Sequence, residues 1–196
     1  MEFGLLYSGG KDSTLAALIL DEFYDVTLVT VHFGITDDWR HAERTATETA
    51  FAFERLELDR SIAEEAVSRM REDGYPRNGI QHVHLRALDA IADRGFDAIG
   101  DGTRRDDRVP SVSRAHAQRL EDRHDVDYVA PLSGFGRRAV DRLVDRTLSV
   151  QVGQSEEIER ADYEAELRAL LAEQEGEDAV TEIFPAHEQT YVHGFR

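Results

Sequence analysis

The stretch Ser8-Gly9-Gly10-Lys11-Asp12-Ser13 stands between an apolar segment, Glu2 to Tyr7, and a segment in which apolar residues recur at helical spacing as far as about Glu22. The first segment has the length of a buried strand, and the second has the periodicity of an amphipathic helix. Two adjacent glycines allow the backbone between them to turn tightly. The sequence therefore predicts a strand, a glycine turn and a helix in immediate succession.

This turn has the features of a loop that binds an anion. Its glycines let backbone N–H groups approach an anion closely, and the following helix adds a partial positive charge of about half a unit at its N-terminus. Lys11 adds a full charge, and Ser8 and Ser13 offer hydroxyl donors. Lysine occurs at no other position of the chain, which uses arginine elsewhere. These properties suit a polyphosphate, so residues 8–13 are called the phosphate loop below.

The phosphate loop differs from a Walker A motif, because Leu5 and Asp12 stand where that motif requires glycine and serine or threonine. It resembles instead the SGGxDS signature of the PP-loop ATP pyrophosphatases, which include asparagine synthetase, GMP synthetase, NAD synthetase and the tRNA thiolation enzymes. The resemblance implies that the loop holds the pyrophosphate end of ATP while a substrate oxygen attacks the α-phosphorus. It also implies that Lys11, Asp12 and Ser13 are catalytic and that magnesium accompanies the ATP.

Strands and helices alternate along the rest of the first 150 residues. Further apolar strands are predicted at residues 26–33, 96–99 and 126–130, with a short one at 55–58, and helices at 38–55, 61–72, 80–94, 113–123 and 137–148. Such alternation predicts a mostly parallel sheet covered on both faces. The resemblance likewise implies an α/β fold, a Rossmann-like sheet of the adenine nucleotide α-hydrolase kind, with ATP across the carboxyl ends of its strands.

The end of the chain differs from the part before it. Residues 1–150 are predicted to form the PP-loop domain and residues 151–196 a short C-terminal α+β appendage. Within the appendage we expect a charged helix at 156–173, with Ile158 among its apolar positions, and two short strands at 180–184 and 190–192.

A second charged stretch follows the strand at 96–99. Gly102-Thr103-Arg104-Arg105-Asp106-Asp107 resembles the G-H-x-x-D-D stretch of PP-loop thiolation and lysidine-forming enzymes. Paired carboxylates beyond a strand end suit Mg²⁺, so the metal ligands predicted here are Asp101, Asp106 and Asp107. Gly100 and Thr103 are predicted to contact ATP. The alternative is a solvated loop rich in both charges.

Three more segments carry weaker predictions. The resemblance implies that the backbone of Val31, His32 and Phe33 receives adenine; the alternative for the histidine is a structural role. Val129-Ala130-Pro131-Leu132 followed by Arg137-Arg138 resembles a strand–Pro–Leu–helix segment of the same enzymes, with a surface role as the alternative. The remaining histidines considered, at positions 82, 84, 187 and 193, have no recognised metal-ligand spacing, and we expect structural or surface roles for them.

Composition limits the chemistry. The chain has no cysteine, which excludes disulfides, thiolate zinc sites and a catalytic thiol from this polypeptide, so sulfur would have to come from a partner protein or as free sulfide. The net charge is −17. We interpret this charge, with a single lysine, as adaptation to a cytoplasm of very high salt; the alternative is an acidic protein that avoids polyanions. At molar salt the Debye length is about 3 Å, so the charge does not exclude RNA.

These observations lead to three hypotheses about function. The favoured one is an ATP pyrophosphatase that adenylates a tRNA uridine or cytidine in a thiolation-type modification, with tRNA and a sulfur- or ammonia-donating protein as partners. The second is adenylation of a small molecule followed by amidation, and the third is a non-catalytic module that binds ATP or AMP. No membrane partner is expected, because no apolar run reaches the roughly 20 residues that span a bilayer, and the expected location is cytoplasmic. Association of the chain with itself is left open.

Overall fold

The structure is a computed structural model and describes residues 1–154, 161–185 and 188–196. Its strands are β1 (Glu2–Leu6), β2 (Asp25–His32), β3 (Ala52–Glu57), β4 (Ala98–Gly100), β5 (Asp127–Val129), β6 (Leu148–Gln154) and β7 (Glu188–Phe195). Its helices are α1 (Lys11–Leu20), α2 (Trp39–Glu48), α3 (Arg60–Asp73), α4 (Arg77–Ala92), α5 (Arg114–His124), α6 (Arg137–Thr147), α7 (Tyr163–Glu175) and α8 (Glu177–Ile183). Within these ranges no helix combines the length and the apolar character needed to cross a membrane.

The first five strands form one parallel sheet in the order β3-β2-β1-β4-β5. The chain begins in the middle of this sheet, adds β2 and β3 on one side, and then returns to add β4 and β5 on the other. The strand order therefore reverses between β1 and β4, and such a reversal leaves a crevice outside the carboxyl ends of the two strands. The predicted fold class, a Rossmann-like parallel sheet with helices on both faces and a C-terminal α+β part, is confirmed.

Each face of the sheet has its own hydrophobic core. Phe3 and Leu5 of β1 point into one core, which also contains apolar residues of α1, α2, α6 and the antiparallel strands β6 and β7. Leu6 points into the other core, which α3, α4, α7 and α8 cover. Because both faces are buried, β1 carries a continuous apolar run rather than an alternating one.

The antiparallel pair β6–β7 lies outside the main sheet, with Leu148 opposite Phe195 at one end and Gln154 opposite Glu188 at the other. The sequence analysis missed β6, although Leu148, Val150 and Val152 alternate with polar residues as in a half-buried strand. The predicted division of the chain at residue 150 falls inside this strand.

The helix predicted at residues 38–55 is wrong in its second half. Helix α2 ends at Glu48, Ala50 adopts a left-handed φ of 58°, and β3 begins at Ala52. Glutamate and arginine in this stretch suit a helix by propensity. The backbone pairs instead with β2 from Thr27↔Ala52 to His32↔Glu57, so tertiary pairing at the sheet edge outweighs propensity.

The strand predicted at residues 180–184 is also wrong, because Glu177–Ile183 forms helix α8. Val180 and Ile183 lie about one helical turn apart and enter the same core. The helix predicted at 156–173 begins at Tyr163, where Asp162 accepts a hydrogen bond from the backbone N–H of Ala165 as its cap. Ile158 lies outside the described residues.

Candidate active site at the phosphate loop

The phosphate loop lies at the carboxyl end of β1 and leads directly into α1. Gly9 adopts a φ of +75°, a left-handed conformation that favours glycine, and Gly10 is the N-cap residue of the helix. Glycine has no side chain that could cap the first turn. The backbone N–H of Lys11 donates instead to Thr190 Oγ1 at 3.2 Å. The acceptor at this helix N-terminus is therefore the hydroxyl of Thr190, a residue that is distant in sequence.

The two serines of the loop bring their hydroxyl groups together. Ser8 Oγ lies 3.2 Å from Ser13 Oγ, and the Ser13 hydroxyl donates to the Gly10 carbonyl at 3.1 Å. Both residues line a cavity of about 260 Å³, here called the first cavity. Hydroxyl donors and the first turn of α1 at one wall suit an anionic ligand in this cavity. Five carboxylates line it as well, those of Asp12, Asp101, Asp107, Asp162 and Glu164.

The first cavity occupies the crevice between the carboxyl ends of β1 and β4. Its walls come from the loop, from the ends of β1, β2 and β4, from α4, and from the C-terminal segment, which is residues 161–185 and 188–196 of the described chain. The lining residues are Leu6, Tyr7, Ser8, Asp12, Ser13, Val31, Ile80, His84, Asp101, Gly102, Thr103, Asp107, Val109, Pro110, Ala161, Asp162, Tyr163, Glu164 and Gln189. Ligands of open α/β sheets bind in this position.

Gly102 allows the end of β4 to approach the start of α1. A Cβ atom at this position would lie 2.8 Å from Ser13 N and 2.9 Å from the carbonyl carbon of Asp12. Backbone at such distances cannot move aside as a flexible side chain can, so a larger residue would push the two segments apart. Gly100 is different, because it lies inside β4 against β5 and does not line the first cavity, whereas Thr103 does.

Asp101 lies at the wall of the first cavity in a buried hydrogen-bond network. Its Oδ2 atom is 2.9 Å from His84 Nε2 and accepts from the Tyr128 hydroxyl at 2.9 Å, while Oδ1 accepts from the Thr103 N–H at 2.8 Å. Burial opposes ionisation, but the hydrogen bonds from His84 and Thr103 outweigh it and lower the pKa of Asp101. Burial and the adjacent carboxylate raise the pKa of Tyr128. The network therefore holds Asp101 as a carboxylate.

His84 connects this network to the C-terminal segment. Because Asp101 accepts at Nε2, that nitrogen carries hydrogen, and in the neutral ring Nδ1 then accepts from the Tyr163 hydroxyl 3.1 Å away. From the sequence a structural or surface role was expected for His84, and its ring lies at the wall of the first cavity. The other histidines are elsewhere: His82 is 3.3 Å from Glu65, His193 contacts Gln151, and residue 187 lies outside the described part of the chain.

The three predicted metal ligands do not fit a resident magnesium ion. Asp101 is engaged by the network above, Asp106 accepts from the N–H of Arg137 at 2.9 Å, and Asp107 accepts from the backbone and the guanidinium of Arg104 at 2.7 and 2.5 Å. Among the residues described, no group of three or more His, Asp or Glu side chains could hold a metal ion.

Lys11 faces away from the first cavity. Its ammonium lies 2.8 Å from Asp12 Oδ1 and 2.9 Å from Asp141 Oδ1, and the side chain is 13% exposed. It lines a second cavity of about 600 Å³ between α1, α6 and the β6–β7 strand pair, together with Arg104 and Arg137. Asp12 lines both cavities. The only lysine of the chain therefore lines the second cavity and is paired with Asp12, the residue that also lines the first.

The end of β2 departs from the expectation for an adenine site. Val31 lines the first cavity. The N–H groups of Phe33 and Ile35 donate to the carboxylate of Glu166, at 2.7 and 2.8 Å. The ring of His32 accepts from the nearby Gly34 N–H at 3.2 Å. Of the three predicted residues, Val31 alone lines the cavity, and Glu166 of α7 occupies the backbone donors that follow.

Sequence reasoning missed the residues that close the site from a distance, namely Thr190, Glu166, Tyr163 and Asp141. Each belongs to an element whose own sequence reads as an ordinary charged helix or a short strand. Nothing in the sequence marks Glu166 as a buried carboxylate, because it is one of several acidic residues in α7. Only their positions in space give them contacts with the phosphate loop and its neighbours.

Comparison with known proteins assigns the chain to a family. A family of unknown function, DUF7411, matches residues 1–194. The chain belongs to this family. An uncharacterized protein of Methanocaldococcus jannaschii, MJ0690, is 40% identical over the whole chain and 97% of its own length.

Two solved structures resemble the fold. A crystal structure from Methanocaldococcus jannaschii, described as a predicted subunit of tRNA methyltransferase, has a TM-score of 0.93 and 38% identity and matches the whole chain and 98% of that protein. The U34-tRNA thiolase NcsA from Methanococcus maripaludis, solved with its [4Fe-4S] cluster, has a TM-score of 0.51 and 15% identity over 74% of this chain and 56% of that one. At that identity the second likeness concerns the fold alone.

Proposed function

We propose that the chain binds ATP at the phosphate loop and transfers an adenylyl group to an oxygen of a tRNA nucleotide, releasing pyrophosphate. The observation that carries this proposal is the position of the loop, at the N-terminus of α1 and at the wall of the cavity between β1 and β4. In the reaction a bond forms between the substrate oxygen and the α-phosphorus, and the bond from that phosphorus to the bridging oxygen breaks. A later nucleophile displaces AMP from the activated nucleotide.

The chain's own groups suit the charge that develops on departing pyrophosphate. The N–H groups of the first turn of α1 and the hydroxyls of Ser8 and Ser13 are donors fixed before the reaction, which is the arrangement that stabilises a developing anion. The ammonium of Lys11 joins them when it exchanges Asp141 for a phosphate oxygen. A magnesium ion bound to the phosphates of the nucleotide would neutralise part of their charge.

Binding of ATP requires the first cavity to open. Its volume of about 260 Å³ lies below the range of about 300–1,000 Å³ that is usual for small-molecule sites. The C-terminal segment supplies part of the wall through residues 161–164 and Gln189. We therefore expect this segment to move when the nucleotide enters.

The tRNA class of substrate is supported by the neighbours, one described as a predicted subunit of tRNA methyltransferase and the other as a tRNA thiolase. This chain differs from the thiolase in one chemical respect. Iron–sulfur clusters are held chiefly by cysteine thiolates, and the chain has no cysteine. A sulfur transfer would therefore need a separate donor protein or free sulfide, and an amine donor is the alternative nucleophile.

The test is turnover of ATP by the purified chain with magnesium at high salt, with and without unmodified bulk tRNA. We expect AMP and pyrophosphate, formed faster when tRNA is present. ADP and phosphate would contradict cleavage between the α and β phosphates. Comparison of modified nucleosides in tRNA from cells with and without the protein would then identify the modification.

A second candidate is a nucleotide-binding subunit that performs no chemistry. The contact that favours it is the pairing of Lys11 with Asp12 and Asp141 on the side of the second cavity. Calorimetric binding of ATP without AMP formation, with tRNA and with small carboxylate or amide acceptors, would support this candidate over the enzyme.

A further inference from the structure

Charge is distributed unevenly along the chain. Ten of the 23 basic residues and eight of the 40 acidic ones lie between positions 104 and 146, so this stretch has a net charge of +2. The remaining 13 basic and 32 acidic residues give the rest of the chain a net charge of −19. A basic stretch in a strongly acidic protein indicates a partner that carries negative charge.

The arginines of this stretch also differ from the others in their contacts. Eight of its ten arginines make no ion pair with any described carboxylate; the exceptions are Arg104 and Arg123. In the rest of the described chain the paired arginines include Arg40, Arg60, Arg69, Arg71, Arg94 and Arg168, whereas Arg55, Arg77, Arg86 and Arg196 make no ion pair. Arginines without an ion pair are therefore concentrated at residues 104–146, where they remain available to a partner.

Four of the available arginines lie on two adjacent segments beside the candidate active site. Arg105 and Arg108 lie in the loop after β4, and Arg137 and Arg138 lie at the start of α6, all with exposed side chains. The two segments touch, because the N–H of Arg105 donates to the Phe135 carbonyl at 3.1 Å. The neighbouring acidic groups are engaged, since Asp106 accepts from the Arg137 N–H and Asp107 is held by Arg104.

Phe135 is an exposed aromatic side chain among these arginines. Its side chain is 52% exposed. We call Arg105, Arg108, Phe135, Arg137 and Arg138 the arginine rim. The rim lies between the cavities, because Val109 and Pro110 of its first segment line the first cavity and Arg137 lines the second.

We propose that the arginine rim binds a single-stranded segment of RNA, with an unpaired base stacked on Phe135 and phosphates at the arginines. This inference rests on the proposed function and names the surface that receives the RNA. Arginine side chains match phosphate oxygens in geometry, and an exposed aromatic ring offers a stacking surface to unpaired bases. A strand bound here places a nucleotide at the entrance of both cavities.

The first test measures the affinity of the full chain for labelled unmodified tRNA, by fluorescence anisotropy at several KCl concentrations. We expect Arg105→Ser/Arg138→Ser to weaken binding about tenfold at the lowest salt and to reduce the dependence of affinity on salt. The control is Arg69→Ser/Arg86→Ser, which removes the same charge from the groove between α3 and α4, where Arg69 pairs with Glu65 and Arg86 makes no ion pair. Equal losses in the two double variants would overturn the proposal, because general charge rather than the rim would then explain binding.

The second test concerns stacking. Phe135→Ala should lower affinity for tRNA and for a single-stranded oligonucleotide about tenfold, whereas Phe135→Tyr should retain it. A fully paired RNA duplex should compete poorly. Unchanged affinity in Phe135→Ala, or equal competition by duplex, would overturn the stacking role.

Measurements of ATP on the same preparations separate this inference from the proposed function. If the wild-type chain forms AMP but shows no affinity for tRNA or single-stranded RNA, the rim proposal fails while the ATP pyrophosphatase proposal stands. If RNA binds through the rim but ATP neither binds nor reacts, the rim proposal stands and the proposed function fails.

Discussion

The phosphate loop and the C-terminal segment that closes it are built in opposite ways. The loop is six consecutive residues, and its serine contacts lie within those six. The C-terminal segment, residues 161–185 and 188–196 in the described chain, reaches the site through three separated side chains, Tyr163, Glu166 and Thr190. The first arrangement supplies donors for a ligand, and the second determines whether the ligand has access to them.

The C-terminal segment and a bound nucleotide would compete for the same backbone N–H donors. Thr190 accepts from the Lys11 N–H, which a phosphate oxygen would need, and Glu166 accepts from N–H groups after β2. A site that is closed by its own acceptors excludes water and holds its donors in place until a ligand replaces those acceptors. Substitutions in the phosphate loop and in the C-terminal segment should therefore have different consequences, and the largest effect is expected at Lys11.

Lys11→Ala removes the full charge of the loop. We expect AMP formation to fall about 10²- to 10³-fold, because loss of one donor to a developing anion has that effect in other enzymes. The measurement is steady-state turnover, with thermal melting to show that the fold persists. Arg86→Ser is the control, since its side chain is exposed on α4 away from the loop. Turnover equal to the wild type would remove Lys11 from the mechanism.

Asp101→Asn tests the junction between the two regions, where the end of β4 meets α7 through His84 and Tyr163. We expect a loss of about 3 kcal/mol in the free energy of unfolding near neutral pH, because an amide –NH₂ would face buried donors. The measurement is chemical denaturation at high salt. A loss no larger than that of an exposed substitution would show that the network contributes little.

The effect of this substitution should depend on pH. The hydrogen bonds at Asp101 outweigh its burial and lower its pKa in the folded state. Its contribution to stability is therefore complete above the ordinary aspartate pKa of about 3.9 and declines as the pH falls below that value. The difference between wild type and Asp101→Asn should shrink in acid; a difference that grows in acid would contradict the assignment.

Glu166→Gln alters the closing side alone. The glutamine oxygen can accept from one N–H, but its –NH₂ group faces another, so we expect a loss of about 2 kcal/mol. Glu173→Gln on the same helix is the matched control, because Glu173 pairs with Arg60 at the surface and should change stability by less than about 0.5 kcal/mol. Indistinguishable melting of the two variants would mean that Glu166 does not fasten α7 to the end of β2.

Thr190→Val removes one neutral hydrogen bond and should reduce stability by about 1 kcal/mol without ATP. With saturating ATP we expect the difference from wild type to disappear, since a phosphate oxygen would replace the hydroxyl as acceptor for the Lys11 N–H. Melting temperatures with and without ATP provide the measurement. A difference that persists at saturation would place the phosphates elsewhere.

The predictions from sequence succeeded where a local pattern has only one structural solution. The apolar runs of β1, β2, β4 and β5 and the glycine turn after β1 were recognised, and with them the α/β class. The predictions failed at the start of β3, where a helix was expected as far as residue 55, and at β6 and α8, because the choice between helix and strand there depends on a pairing partner or a core elsewhere in the chain.

The sequence by itself determined the phosphate loop and the parallel fold, because a backbone turn at glycines, a helix N-terminus and a buried strand are properties of consecutive residues. Tertiary structure alone decided that Lys11 faces the second cavity, that Asp101 serves a buried network, and that acceptors about 130 and 180 residues away occupy the donors of the site. The physical reason is that hydrogen bonds and ion pairs depend on distances in space, which the packing of the C-terminal segment onto the sheet establishes.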